Sequence, residues 1–521
     1  MPAGPLLVGI DLGTSRIRAV LLNSAGQALR EAAEPTPVQS PHPGLAEHDP
    51  EALWQTAAAV LRQLTAGLPD PSAIRGVAAA SFGESAVLLD ESGNPVAPAI
   101  AWYDERTRPQ MEDLDRRMGG AALFATSGLR LDPTLGLCKL LWMQRHWAPA
   151  MRRAARWLNV ADWIAFRLSG VAATDCSLAS RTLALDLQGK AWNTALLERC
   201  GIPPTLPVPL RPSGTALGPV TPRAAEQTGL PPTAIVGVGA HDHVCGALAS
   251  GVTEPDIVLD SLGTAEALFR TLDRPILAPA AGTRGYWQGL VRVAPGLDLH
   301  YILGALPTSG AAVEWFRRTC ADGAPHTELI EEAAGLPPGS RGVCFLPHLR
   351  LSTAPEPDPA ARGAFIGLSA DTERAALYRA VLEGLAFESR LVLEGMESLP
   401  GLGPPHAIRV IGGGSRNDLF LRIKAAVLGR PLTRMPAAEG TALGAALLGG
   451  IAAGVYPDME HALAATTAPG QTIPPDPALR AAYDDLYETV YRCLHATLRP
   501  LHAALDGLAR RSLPALEPEP T

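Results

Sequence analysis

The stretch LLVGIDLGTSRIRAVLL, Leu6 to Leu22, decides how the rest of the chain is read. Leu6 to Ile10 is an apolar run that predicts a buried strand, and Ile17 to Leu22 predicts a second. Between them stands Asp11-Leu12-Gly13-Thr14-Ser15. A strand that ends in a carboxylate and turns through Gly-Thr offers backbone N–H groups and hydroxyls to a phosphate. Its Asp can hold a hydrated Mg²⁺, which takes one or two carboxylates together with waters and substrate phosphates. No Gly-Lys-Ser/Thr follows, so this is not a Walker A loop. The same residues also suit a plain hairpin whose Asp caps the turn.

A second copy favours the phosphate reading. Ile257 to Leu259 is again apolar, and Asp260-Ser261-Leu262-Gly263-Thr264-Ala265 repeats the Leu-Gly-Thr turn. Ser261 stands where Asp11 stood, so the carboxylate on the metal side belongs to the first half alone. Two related halves, each with such a turn, predict a duplicated α/β fold closing on one nucleotide.

Length fits this division, because 521 residues exceed one ordinary core. The expected domains are residues 1–252 and 253–500, with 501–521 as a tail. Hydrophobic residues at 47% and charged residues at 18% are globular proportions. The balance of 44 basic against 52 acidic residues, −8 overall, argues against a nucleic-acid partner. The amino terminus has no basic segment before its apolar run, and no stretch is long enough to span a bilayer. Seven cysteines, scattered singly without a C-x-x-C, suit reduced thiols in a cytoplasmic protein.

Further along, Asp49-Pro50-Glu51 predicts a helix start, with Leu53, Trp54, Ala57, Val60 and Leu61 on its inner face. The strand-like run Ile74 to Ala80 leads to Ser81-Phe82-Gly83-Glu84-Ser85, and Ala99 to Trp102 leads to Tyr103-Asp104-Glu105-Arg106. Glu84 and Asp104 are expected at one sheet end, where ligands of α/β folds gather. Trp102 or Tyr103 beside them suits either a sugar face or the core. Thr174 to Thr182 predicts a polar loop, read as helix caps with a structural Arg–Asp pair or as a ligand contact.

Gly239-Ala240-His241-Asp242-His243 puts an acid between a strand end and a small-residue helix. Histidines two positions apart rarely converge on one metal, and a base that takes a proton from a substrate hydroxyl fits Asp242 better. Gly304 to Trp315 predicts a loop running into a helix. Ile408 to Ile411 followed by Gly412-Gly413-Gly414-Ser415-Arg416-Asn417 lets backbone approach a phosphorylated ligand.

Taken in order, Asp11 to Thr14, Trp102 to Arg106, Gly239 to Asp242, Ser261 to Thr264, Gly412 to Asn417 and Glu439 to Gly444 resemble the FGGY carbohydrate kinases, which include xylulokinase, gluconokinase and glycerol kinase. The resemblance runs collinearly from about Leu6 to about Tyr456. It implies two actin-like, ribonuclease-H-type domains around a central cleft that holds ATP and Mg²⁺. It implies Asp242 as catalytic base, Asp11 on the metal side through water, and Gly13, Thr14, Ser15, Gly263 and Thr264 at the phosphates. Gly413, Gly414, Asn417, Ser309 and Gly310 would lie near the adenosine. Glu84, Trp102, Asp104, Arg106 and Asp242 would meet the sugar.

Xylulokinases typically carry Gln-Met-His where this chain has Phe82-Gly83-Glu84, and glycerol kinases carry Arg-Glu, so Glu84 matches their acid while Gly83 lacks their Arg. A ketopentose is the first expected acceptor and a polyol the second, with a homodimer left open. Two other classes remain: an actin-like ATPase answering to a protein partner, and a sugar-binding regulator without turnover.

Overall fold

The computed structural model describes residues 4–436, 440–467 and 469–512. In the first half, β1 (Leu6–Leu12), β2 (Arg16–Asn23) and β3 (Ala28–Pro35) form an antiparallel meander. Helix α1 (Pro50–Thr65) follows, and the Asp49 carboxylate accepts from the Glu51 N–H at 3.0 Å to close its first turn. The expected inner face, Leu53, Trp54, Ala57, Val60 and Leu61, is fully buried. Strand β4 (Ile74–Ser81) lies parallel to β1, with Asp11 opposite Ala80.

Helices α2 (Gly136–His146) and α3 (Cys176–Ser180) belong to the insertion that follows. The sheet is completed by β5 (Ala216–Pro219), β6 (Ile235–Gly237) and β7 (Ala240–His241), and α4 (Asp242–Ala249) leaves its edge. Its order is β5-β6-β4-β1-β2-β3, with β7 also pairing β4.

The second half repeats the arrangement. Strands β8 (Ile257–Leu262), β9 (Glu266–Leu272), β10 (Trp287–Val293) and β11 (Leu297–Leu306) precede helices α5 (Gly310–Cys320) and α6 (Arg374–Glu397). Strand β12 (Ala407–Ile411), α7 (Asp418–Leu428), β13 (Leu432–Arg434), α8 (Gly440–Ala452) and β14 (Gln471–Ile473) finish it. The order β10-β11-β9-β8-β12-β13-β14 places β8 between an antiparallel hairpin partner and a parallel neighbour, as β1 is placed in the first sheet. Both Leu-Gly-Thr turns therefore leave the carboxyl ends of a parallel strand pair, where α/β sheets present ligands.

Helices α4 and α8 fill the layer between the sheets. A Cβ on Gly444 would come 2.0 Å from the Cys245 carbonyl oxygen, and one on Gly9 would come 1.8 Å from that of Ala442. Glycine is required there because backbone meets backbone. Buried Ala442, Ala445 and Leu448 of α8 share a core with Leu7 and Ala78 of the first sheet and Leu259 and Phe269 of the second.

Two expectations change. The polar segment Thr174 to Thr182 contains the short buried helix Cys176–Ser180 where a loop was expected, and Asp175 caps it as the helix-cap reading had it, accepting from the N–H groups of Ser177 at 2.7 Å and Leu178 at 3.0 Å. Its Arg181 pairs with Glu84 and not with an Asp. Residues 501–512, expected as a tail, continue a helix that begins at Arg492. Glu439, part of the FGGY-like pattern, and residues 513–521 lie outside the described residues.

Candidate active site

Asp242 is the first residue of α4, delivered there by β7 pairing with Ser81 at the end of β4. Its Oδ1 accepts from the His243 N–H at 2.6 Å and lies 3.3 Å from His241 Nε2. The side chain is 27% exposed, so Oδ2 is left to the cleft. His241 is held down to a pKa of about 3 by burial, with further lowering from His243 and Arg181, so its ring is neutral beside Asp242. A neutral imidazole can orient the carboxylate without neutralising it.

Across the cleft Asp11 is pushed up to about 7, first by burial and then by the charge of Asp242, while Arg18 lowers it. A carboxylate at a strand end beside an open Gly-Thr turn is a donor that a hydrated Mg²⁺ accepts, since that ion takes one or two carboxylates together with waters. The donor set therefore fits a hydrated Mg²⁺ on the Asp11 side.

The phosphate turns are both open. Gly13 N–H closes the first hairpin on the Arg16 carbonyl at 3.0 Å, and Gly263 N–H closes the second on Ala265 at 3.0 Å. Thr14, Ser15, Gly263 and Thr264 are exposed at the tips. The start of α5 docks on the second turn, with Gly310 N–H donating to the Gly263 carbonyl and Ala311 N–H to that of Thr264.

Behind this turn is a cavity of about 880 Å³ lined by Leu262, Gly263, Thr264, Ser309, Gly310, Gly413, Gly414 and Asn417. All five residues expected near an adenosine are among them. Trp315, Arg318, His326 and Tyr378 also line it and were not legible in the sequence, since each sits on a helix with nothing local to distinguish it from a core or surface residue. Ser309 is 2% exposed and its hydroxyl donates to Glu266 at 3.0 Å, so it shapes the wall through its backbone.

Under the second turn lies an ion network that sequence reading missed. Lys424 Nζ of α7 is 2.5 Å from Asp260 Oδ2 and 2.6 Å from Glu266 Oε1, and all three side chains are 0% exposed. Asp260 ends the apolar part of β8 and Glu266 begins β9, so one ammonium ties both limbs of the hairpin. Burial alone would lower Lys424, but the two acids outweigh it and raise it.

The residues expected to meet a sugar are placed as follows. Asp104 accepts from Ala46 N–H at 2.7 Å and Arg106 Nη2 at 2.7 Å on one oxygen, and from Arg106 N–H at 2.9 Å and Nε at 3.0 Å on the other. Arg106 Nη1 reaches Glu47 at 2.5 Å, and both Asp104 and Arg106 side chains are buried. Their polar groups thus bond to each other, to Ala46 and to Glu47, which fixes both side chains in the pocket wall. Trp102, half-buried, donates Nε1 to Thr14 Oγ at 2.9 Å and so links the acceptor side to the first phosphate turn. Glu84 does not meet Asp104 directly. Between them lies Lys139 of α2, fully buried, donating to the Ala101 carbonyl at 2.8 Å. Burial lowers the Lys139 amine to about 7 against the charges of Glu84 and Asp104.

Two mixed sheets of matching strand order, each ending in a Leu-Gly-Thr hairpin above one cleft, define an actin-like fold of the ATPase and kinase type. Residues 6–249 match the N-terminal domain, and residues 260–453 the C-terminal domain, of the FGGY family of carbohydrate kinases. The chain belongs to that family and is a carbohydrate kinase. It is 27% identical over 506 residues to the xylulose kinase of Bacillus subtilis, covering 97% of this chain and 99% of that one. It is 36% identical over 463 residues to the glycerol kinase of Thermus brockianus, covering 86% and 90%. The crystal structure of xylulose kinase from Rhodospirillum rubrum superposes with a TM-score of 0.85 at 31% identity, over 96% of this chain and all of that one. Among the described residues no helix is long and apolar enough to cross a membrane.

Proposed function

We propose that the protein transfers the γ-phosphoryl group of ATP to a hydroxyl of a small neutral ketose or polyol, with a ketopentose as first candidate. The observation that carries this reading is Asp242, fixed through Oδ1 by His243 N–H and a neutral His241, with its side chain 27% exposed and its charge felt by Asp11. Asp242 Oδ2 takes the proton of the attacking hydroxyl as the O–P bond forms and the bond to the leaving ADP breaks. Phosphoryl transfer has a loose transition state, so position and charge supply most of the rate, and the base adds about 10²–10⁴-fold. Mg²⁺, when bound, neutralises charge on the phosphates. Asp11 would hold it through water, the exposed Thr14 and Thr264 would contact the phosphates, and the cavity beside Gly413, Gly414 and Asn417 would take the adenosine. Residues 1–252 then carry the acceptor and the base, and residues 253–500 carry the nucleotide.

Glu84 presents an acceptor oxygen where a substrate hydroxyl can donate. A gluconate carboxylate would be repelled there, so neutral acceptors are favoured. The reading is tested by measuring ADP release over pentuloses, small polyols, hexuloses and aldonates. ADP release stimulated by a ketopentose or polyol and not by gluconate is expected. Release that no acceptor stimulates would point to an ATPase, and preferred use of gluconate would overturn the pocket assignment.

A further inference from the structure

Glu84 is a non-glycine residue with φ +62°, a left-handed backbone that L side chains rarely adopt. Such conformations persist only where the surroundings hold them. Here the Ser85 N–H donates to the Gly83 carbonyl at 2.8 Å and closes a tight turn on Glu84, while its carboxylate is held by Arg181, whose Nε donates to Oε1 at 2.6 Å and whose Nη2 pairs with the same oxygen. Glu84 Oε2 has no hydrogen-bond partner among the described residues, and the side chain keeps 7% of its surface exposed.

Arg181 reaches Glu84 by crossing Gly83. A Cβ at position 83 would lie 2.7 Å from Arg181 Cγ, so the stem of Arg181 fills the space that a side chain there would need. The guanidinium stacks 4.2 Å from the Trp287 ring centroid and lies beside the Tyr301 hydroxyl. Trp287 and Tyr301 belong to β10 and β11 of the second sheet, whereas Glu84 and Arg181 belong to the first half. At the same contact the Leu290 N–H of β10 donates to Ser180 Oγ at 3.1 Å.

We infer that Arg181 is the positioning residue of the acceptor pocket: it fixes Glu84 through Oε1, leaves Oε2 for a substrate hydroxyl, and is itself held by Trp287 and Tyr301, so that acceptor recognition depends on how the two halves pack. The inference rests on the acceptor pocket assigned above. The positive charge beside Glu84, absent from position 83, comes from another helix. Around Glu84 the other charged or titratable groups are Lys139 below it, Tyr301 from β11, and His241 beyond Arg181. Of these, only Arg181 pairs directly with the carboxylate. Without it Glu84 would be a buried carboxylate stripped of its partner and less ordered.

The test is calorimetric binding of D-xylulose and of glycerol, with ADP binding as the control, to the unaltered protein and to Arg181→Met, Arg181→Lys and Trp287→Leu. In Arg181→Met the dissociation constant of whichever acceptor binds should rise roughly 10- to 100-fold while ADP binding holds. Arg181→Lys should recover part of the loss. Trp287→Leu, which touches neither Glu84 nor the nucleotide cavity, should weaken the acceptor several-fold, and this arm stands if Arg181→Met does not fold.

Acceptor affinity untouched in Trp287→Leu, or acceptor and ADP weakened equally in Arg181→Met, would overturn the inference. Failure of both acceptors to bind the unaltered protein would overturn it together with the pocket. Because the readout is binding, acceptor bound without turnover would count against the proposed reaction alone.

Discussion

Replacing Lys424 by Met should damage the protein through the second phosphate turn. The substitution keeps the length of the side chain and removes the ammonium that lies 2.5 Å from Asp260 and 2.6 Å from Glu266. Both acids are 0% exposed, so neither can turn to water. Ser309 and Ser389 donate to Glu266, but Asp260 has no comparable hydroxyl partner. Removing one partner of a buried ion network leaves uncompensated charge and costs about 3–5 kcal/mol. For a domain of this size that lowers Tm by roughly 6–20 °C.

The pH dependence carries a definite sign. Asp260 already stands raised to about 7, by burial first, with Glu266 adding and Lys424 opposing. A carboxyl raised in the folded state contributes stability at low pH that is lost as pH rises through its folded pKa. Without Lys424 this effect grows, so the deficit of the variant should widen from about pH 6 to pH 8. Calorimetric or fluorescence melts at both pH values measure it. A loss under about 1 kcal/mol, or a deficit equal at both pH values, would refute the reasoning.

Two further outcomes follow from the nucleotide side. Asp11, raised to about 7, must ionise to take Mg²⁺, so affinity for Mg·ATP should fall about tenfold from pH 8 to pH 6. Titration of Mg²⁺ at fixed ATP across that range checks it, and a flat profile would remove Asp11 from the metal. Gly310→Ala would place a Cβ 2.6 Å from the Gly263 carbonyl oxygen, pushing α5 off the turn. The KM for ATP should rise roughly tenfold while that for the acceptor holds, which steady-state kinetics would show.

The two hairpins, the turns at Gly13 and Gly263 and the glycine run at Gly412 were legible because strand period and turn residues are local signals. The same holds for Asp242, whose place between an apolar strand and a small-residue helix is written in adjacent residues. Lys424, Arg181 and Lys139 were not legible, because each is a lone cation, in or just after a helix, whose partner lies far away in sequence. Lys424 meets Glu266 across 158 positions and Arg181 meets Glu84 across 97. The pairing of Asp104 and Arg106 with each other and with Glu47 was not legible either, because Glu47 lies 59 positions from Arg106. The helix at Cys176 was hidden by its polar composition, which the cap at Asp175 and burial on all sides make tolerable.

The central claim is that Asp242 is the base in transfer to a bound hydroxyl, and single-turnover kinetics of Asp242→Asn with the best acceptor and Mg·ATP test it most directly. The account predicts a rate lowered about 10²–10⁴-fold with acceptor and nucleotide binding nearly intact. A rate within a few-fold of the unaltered protein would contradict it.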